Sequence, residues 1–123
     1  MPQPFKQVLT IADTASTSGS ARIADVDVRA LIFSAGFDGA TIKFQAVAIA
    51  SVQDATPVTG DYVDVNDSAG SVVTVTVSAG KWVTLTEAQR DALSGAHWVR
   101  AVSASAQSGG AGTVTLVGKT LYK

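Results

Sequence analysis

The chain has 123 residues, no cysteine, a single histidine, and nine basic against ten acidic residues for a net charge of −1. That length suits one domain with its own core, and the missing thiols exclude disulfides and thiolate metal sites. The charges are scattered singly, with no basic run to track a phosphate backbone, so no nucleic-acid partner is expected.

The start, MPQPFKQ, lacks the charge and apolar block of a signal peptide. No apolar stretch approaches the ~20 residues of a membrane span, so a soluble protein without a membrane partner is expected. Ala, Val, Thr, Ser and Gly dominate the composition. β-branched residues fit a pleated, half-buried surface, and small residues with frequent glycine fit short strands joined by tight turns.

In chain order, FKQVLTIA (5–12) alternates through Phe5, Gln7, Leu9 and Ile11 and reads as a first strand. DTASTSGSA (13–21) is a polar loop. RIADVDVRALIF (22–33) reads as a strand with Val26, Val28, Ala30 and Ile32 on one face and Asp25, Asp27 and Arg29 on the other. SAGFDG (34–39) turns at Asp38-Gly39. The next strand alternates through Ala40, Ile42, Phe44, Ala46 and Ala48 toward the core, with Thr41, Lys43 and Gln45 outward.

QDATPVTG (53–60) is a loop, and DYVDV (61–65) is short and β-like. NDSAG (66–70) closes a hairpin into SVVTVTV (71–77), the strongest strand signal, and KWVTLT (81–86) follows. Thr86 with Gln89 forms a capping-box pattern, Glu87 suits a first turn and Gly95 a stop, so one short helix is expected near 87–94. HWVRAVSAS (97–105), with Trp98, Arg100 and Val102 on one side, and TVTLVGKTLY (113–122) complete the pattern. About eight short strands argue for an all-β fold, an antiparallel two-sheet sandwich of jelly-roll-like type. Residues 1–20 read as an amino-terminal strand or arm with a polar loop, and 21–123 as the sandwich.

Chemistry is sparse. His97 has no evident nucleophile or acid partner and reads as a strand-start residue. Asp64, Asn66 and Ser68 carry the spacing that begins a calcium loop, but Ala69 replaces the sharp-turn glycine, and no acid closes the site; turn chemistry accounts for them. SGGAG (108–112) opens no helix and carries no lysine, so it is a loop rather than a phosphate cradle. No catalytic residue, metal or cofactor is expected. Tyr62, Trp82, Trp98 and Tyr122 offer either packing or a sugar-stacking platform.

DGATIKFQAVA, GDYVDVNDSAG, VTVTVSAGKWVTL, HWVRAVSAS and GTVTLV occur in that order over roughly residues 38–117. In this arrangement the chain resembles small β-sandwich virion proteins of tailed bacteriophages. The resemblance implies a non-enzymatic structural protein of the virion, of the capsid-decoration (cement) kind. It further implies binding to the major capsid protein or other virion proteins, as a homo-oligomer or lattice-bound subunit. The alternative is a head–tail, tail or fibre-associated module, one able to bind carbohydrate. Candidate partner contacts are Phe5, Val8 and Leu9, on an arm that adds a strand to a neighbouring sheet, and the aromatic residues Trp82, Trp98 and Tyr122.

Overall fold

The alternating apolar residues condense into strands β1 (Pro4–Ile11), β2 (Ala21–Arg22), β3 (Val26–Phe33), β4 (Thr41–Val47), β5 (Val63–Asp64), β6 (Thr74–Thr76), β7 (Trp82–Thr84), β8 (Trp98–Ser103) and β9 (Gly112–Thr120). One helix, α1 (Glu87–Leu93), lies between β7 and β8. The structure is a computed structural model that describes residues 2–47 and 62–121.

All the strand pairs are antiparallel and they nest: β1 with β9, β2 with β8, β3 with β7, and β4 with both β5 and β6. Rolling such a ribbon brings β3 against β9 and β4 against β8. The result is a two-sheet sandwich ordered β1-β9-β3-β7 and β2-β8-β4-β5, the second including β6. This is the jelly-roll arrangement expected from the sequence. β6 lies beside the first half of β4 and β5 beside the second, so among the described residues nine segments fill eight strand positions. Phe33, Phe44, Leu31, Leu116, Leu9 and Ile11 fill the space between the sheets. Phe33 meets Phe37 edge to face at 5.2 Å.

The helix forms where its cap predicts. Thr86 accepts from the Gln89 amide at 3.2 Å, and the Gln89 side chain accepts from the Thr86 amide at 2.8 Å. Leu93 buries the inner side, and Arg90 ties the outer side to β3 through Asp27. At the opposite end, the Asp38-Gly39 turn packs on β8: Gly39 has φ +107, and a Cβ there would stand 2.5 Å from Ser103 Oγ. Gln107 is 1% exposed and fully engaged. Its Oε1 accepts from the Asp38 amide and its Nε2 donates to the Asp38 carbonyl, both at 3.0 Å, which locks two loops together.

Four expectations are corrected. Residues 4–11 are not a free arm, because β1 is paired along its length with β9 and buries Leu9 and Ile11. The strand expected over 22–33 is broken at 23–25, where Asp25 takes φ +61 and Val26 N–H donates to the Ile23 carbonyl. Its alternation also slips, since Val28 pairs with Gly118 but Ala30 pairs with Val117, leaving Arg29 as an extra residue. This bulge turns Leu31 and Phe33 inward and sends Ile32 to the outer face. The strong hairpin signal at 71–77 yields only three strand residues, because β6 shares the flank of β4 with β5. Ala48 and the loop at 53–60 lie outside the described residues.

Candidate interaction surface

Directly opposed residues of an antiparallel pair project to the same face, so the registers define what each outer surface displays. On the β1-β9-β3-β7 sheet, Val8 opposes Thr115, Thr115 opposes Ile32, and Ile32 opposes Trp82. These four residues form one uncharged row across all four strands, about 14 Å wide at the usual strand spacing. A second row places Lys6, Val117, Ala30 and Thr84 beside it. Val8 is 46% exposed and Trp82 59% exposed, one at each edge of the sheet. Ile32 joins this row only because of the bulge at Arg29.

The bulge rests on Gly118. A Cβ there would collide with the carbonyl oxygen of Asp27, so the two backbones reach this distance only with glycine. At the same end Asp27 accepts from Arg90 Nη2 at 2.7 Å and from Arg29 Nε at 2.8 Å. The Arg90 hydrogen bonds hold the Asp27 carboxyl below its ordinary pKa, with Arg29 adding to them and partial burial opposing. A charged border thus closes one end of this face, beyond the row that carries Lys6.

The outer face of the β2-β8-β4-β5 sheet has a different chemistry. Lys43 Nζ lies 3.0 Å from Asp64 Oδ1, and Gln45 Nε2 donates to the same oxygen at 3.0 Å. Arg100 Nε donates to Gln45 Oε1 at 2.8 Å, and its guanidinium lies 4.3 Å above the ring of Tyr62. The Tyr62 hydroxyl completes the chain with a short hydrogen bond to Ser20 Oγ. Hydrogen bonding from Gln45, then from Lys43, lowers the Asp64 pKa. Lys43, Asp64, Gln45, Arg100 and Tyr62 on this face therefore engage one another or Ser20.

The candidate contacts separate accordingly. Val8 and Trp82 come together on one surface. Leu9 is 1% exposed and belongs to the core, and Phe5 packs half-buried against that core. Trp98 lies half-buried on the other sheet's outer face, its indole Nε1 buried without a hydrogen-bond partner among the described residues. Tyr122 lies outside the described residues. Tyr62 is buried beneath Arg100, which removes it from any sugar platform. The suspected calcium segment is engaged locally, since Asp67 Oδ1 accepts from the Ala69 and Ser71 amides and Asp64 binds Lys43 and Gln45. His97 bonds through its backbone, its amide to Val47 and its carbonyl to Ile23. Ile32 and Thr115 were missed in the sequence; a bulge that changes the strand phase leaves only the unusual Arg29 and a distant glycine as signals.

No family model matches the chain, and no curated protein matches it. Among solved structures, the SPBc2 prophage-derived protein YomS is similar in fold, with a TM-score of 0.55 at 13% identity over 98% of this chain and 96% of that one. A subunit described in the structure of Bacillus endospore appendages, disulfide-linked pili, matches at a TM-score of 0.41 and 11% identity, over 98% and 88% of the two chains.

Proposed function

We propose that this protein is a non-enzymatic structural component of a tailed-phage virion, a capsid decoration protein that docks on the shell through the outer face of its β1-β9-β3-β7 sheet. The observation that carries the reading is the uncharged Val8–Thr115–Ile32–Trp82 row, which ends on an exposed tryptophan. Tryptophan is enriched among interface residues and dominates binding energy where it fills a partner's depression. The sequence resemblance to phage virion sandwiches supports the setting, and the fold shared with a prophage-derived protein accords with it. The carboxylates of Asp27 and Asp64 both titrate low, the direction of structural ion pairs rather than of a general acid.

The partner in this reading is the major capsid protein, and the protein resides on the virion. Because β1 is part of the sandwich, the contact expected of an arm lies on the sheet surface in this reading. Co-sedimentation of the purified protein with particles from a lysate of the host carrying this gene tests the reading. It predicts that the protein pellets with particles and with tail-less heads, and that W82A reduces pelleting at least about tenfold. Pelleting with tails alone would move the assignment to a tail or fibre module. No pelleting with either would refute it. Exposure of Trp82 also favours a second reading, carbohydrate binding by ring stacking, which predicts retention on a glycan column that W82A abolishes.

A further inference from the structure

The geometry of the β1 edge points to a second copy of this chain as its partner, joined by antiparallel β1–β1 pairing across a two-fold axis. The direction of each backbone group follows from the register. Thr120 N–H donates to the Gln3 carbonyl, so Gln3 and the odd-numbered residues Phe5, Gln7, Leu9 and Ile11 bond toward β9. Lys6 and Val8 therefore aim their N–H and C=O groups away from the sheet, and among the described residues no backbone group bonds to them. Thr10 faces the same way, with its carbonyl already accepting from Gly19 N–H at 3.3 Å.

One register fits this edge to itself. With Lys6 opposite the partner's Val8, and Val8 opposite the partner's Lys6, four hydrogen bonds form and every donor meets an acceptor of complementary partial charge. The pairing ends without loss on either side. Pro4, which has no N–H, falls opposite the partner's Thr10, whose carbonyl is already taken. A shift of two residues in one direction sets Lys6 against the partner's Lys6, a like-charge pair. A shift in the other sets the Lys6 amide against the occupied carbonyl of Thr10. Lys6, an ordinary guard of a sheet edge, and the occupied carbonyl of Thr10 thus disfavour the two neighbouring self-pairings. The aliphatic stem of Lys6 then covers the exposed methyls of Val8.

The product is a continuous eight-stranded sheet with both Trp82 side chains on one surface, at its two far edges. The contact is far smaller than the ~1,600 Å² of a standard interface, so the dimer is weak in solution and concentration-dependent. The dimer itself goes beyond the virion reading and stands without it. If that reading holds, the dimer is bivalent, and its two tryptophan sites gain avidity on a lattice.

Amide hydrogen exchange of the purified protein alone, followed by NMR across a dilution series, tests the pairing without any particle. At low concentration the Lys6 and Val8 amides exchange fast while Phe5, Gln7 and Leu9 are protected. At millimolar concentration protection of Lys6 and Val8 rises, and sedimentation equilibrium reports a dimer. V8K places lysines opposite each other at two symmetric positions and weakens the dimer about tenfold in total. The K6E/V8K variant sets opposite charges at both positions and restores it. A protein monomeric at every concentration overturns the proposal. So does a dimer that V8K leaves intact, or one that K6E/V8K fails to rescue.

Discussion

The two outward faces of the sandwich are built on strands of similar composition, yet they display opposite chemistry. On the β2-β8-β4-β5 sheet, Lys43, Asp64, Gln45 and Arg100 form a bonded chain that ends with the guanidinium over Tyr62. On the β1-β9-β3-β7 sheet, the central row holds Val8, Thr115, Ile32 and Trp82 and no charge. A face whose charged side chains are already bonded in this way contributes to the stability of the fold and offers a partner fewer free charges. A face whose edges carry the exposed side chains of Val8 and Trp82, with Thr115 buried between them, gains free energy when those edges are covered, by roughly 25 cal/mol for each Å² of apolar surface removed from water. Substitutions on the first face should therefore cost stability and spare association. Those on the second should do the reverse.

The largest effect is expected where the second face is constructed. G118A forces a methyl group against the Asp27 carbonyl and strains the bulge, at a cost of about 1–3 kcal/mol. Chemical denaturation would show the loss, and association would fall with it, because the phase that sets Ile32 outward depends on the bulge. Next comes R100A, which removes the hydrogen bond to Gln45 and the cation–π contact on Tyr62. Stability should drop by about 1 kcal/mol, with particle binding unchanged. Reduced binding by R100A would break the contrast between the faces.

D27N has a smaller effect, about 0.5–1 kcal/mol, with a distinctive pH profile. The folded carboxyl titrates below the unfolded one, so its stabilisation is complete above the unfolded carboxylate's pKa. It disappears as the pH falls through the folded value. The gap between native protein and D27N should thus be widest at neutral pH and close in acid. A gap independent of pH would show that the Asp27 charge contributes nothing. Smallest of all is the stability change in W82A, within about 0.5 kcal/mol, because the ring is mostly exposed. Its large effect belongs to association.

Much of this architecture was legible in the chain. The capping box at Thr86 and Gln89, the Asp38-Gly39 turn, and the alternation of Ile42 and Phe44 against Lys43 and Gln45 all depend on neighbours in sequence. What the chain concealed depends on distant partners. Arg29 becomes a bulge because Gly118, far along the sequence, admits close approach of the Asp27 backbone. Asp25 takes a left-handed conformation that Asp tolerates but does not announce. Leu9 and Val8 are equally apolar, and only the register of β1 on β9 decides which of them reaches solvent. The surface proposed here for docking could be half drawn from sequence, through Val8 and Trp82, and completed only by the pairing that places Thr115 and Ile32 between them.

In the proposed docking, the face bearing Trp82 becomes covered as the protein binds the particle. W98F leaves Trp82 as the sole tryptophan, and the indole Nε1 it removes has no hydrogen-bond partner among the described residues to lose. Fluorescence of this variant, titrated with particles and challenged with iodide, reads that face directly. The account predicts a blue-shifted emission and protection from the quencher as particles are added. Bound protein whose Trp82 emission and quenching match those of the free protein would contradict it.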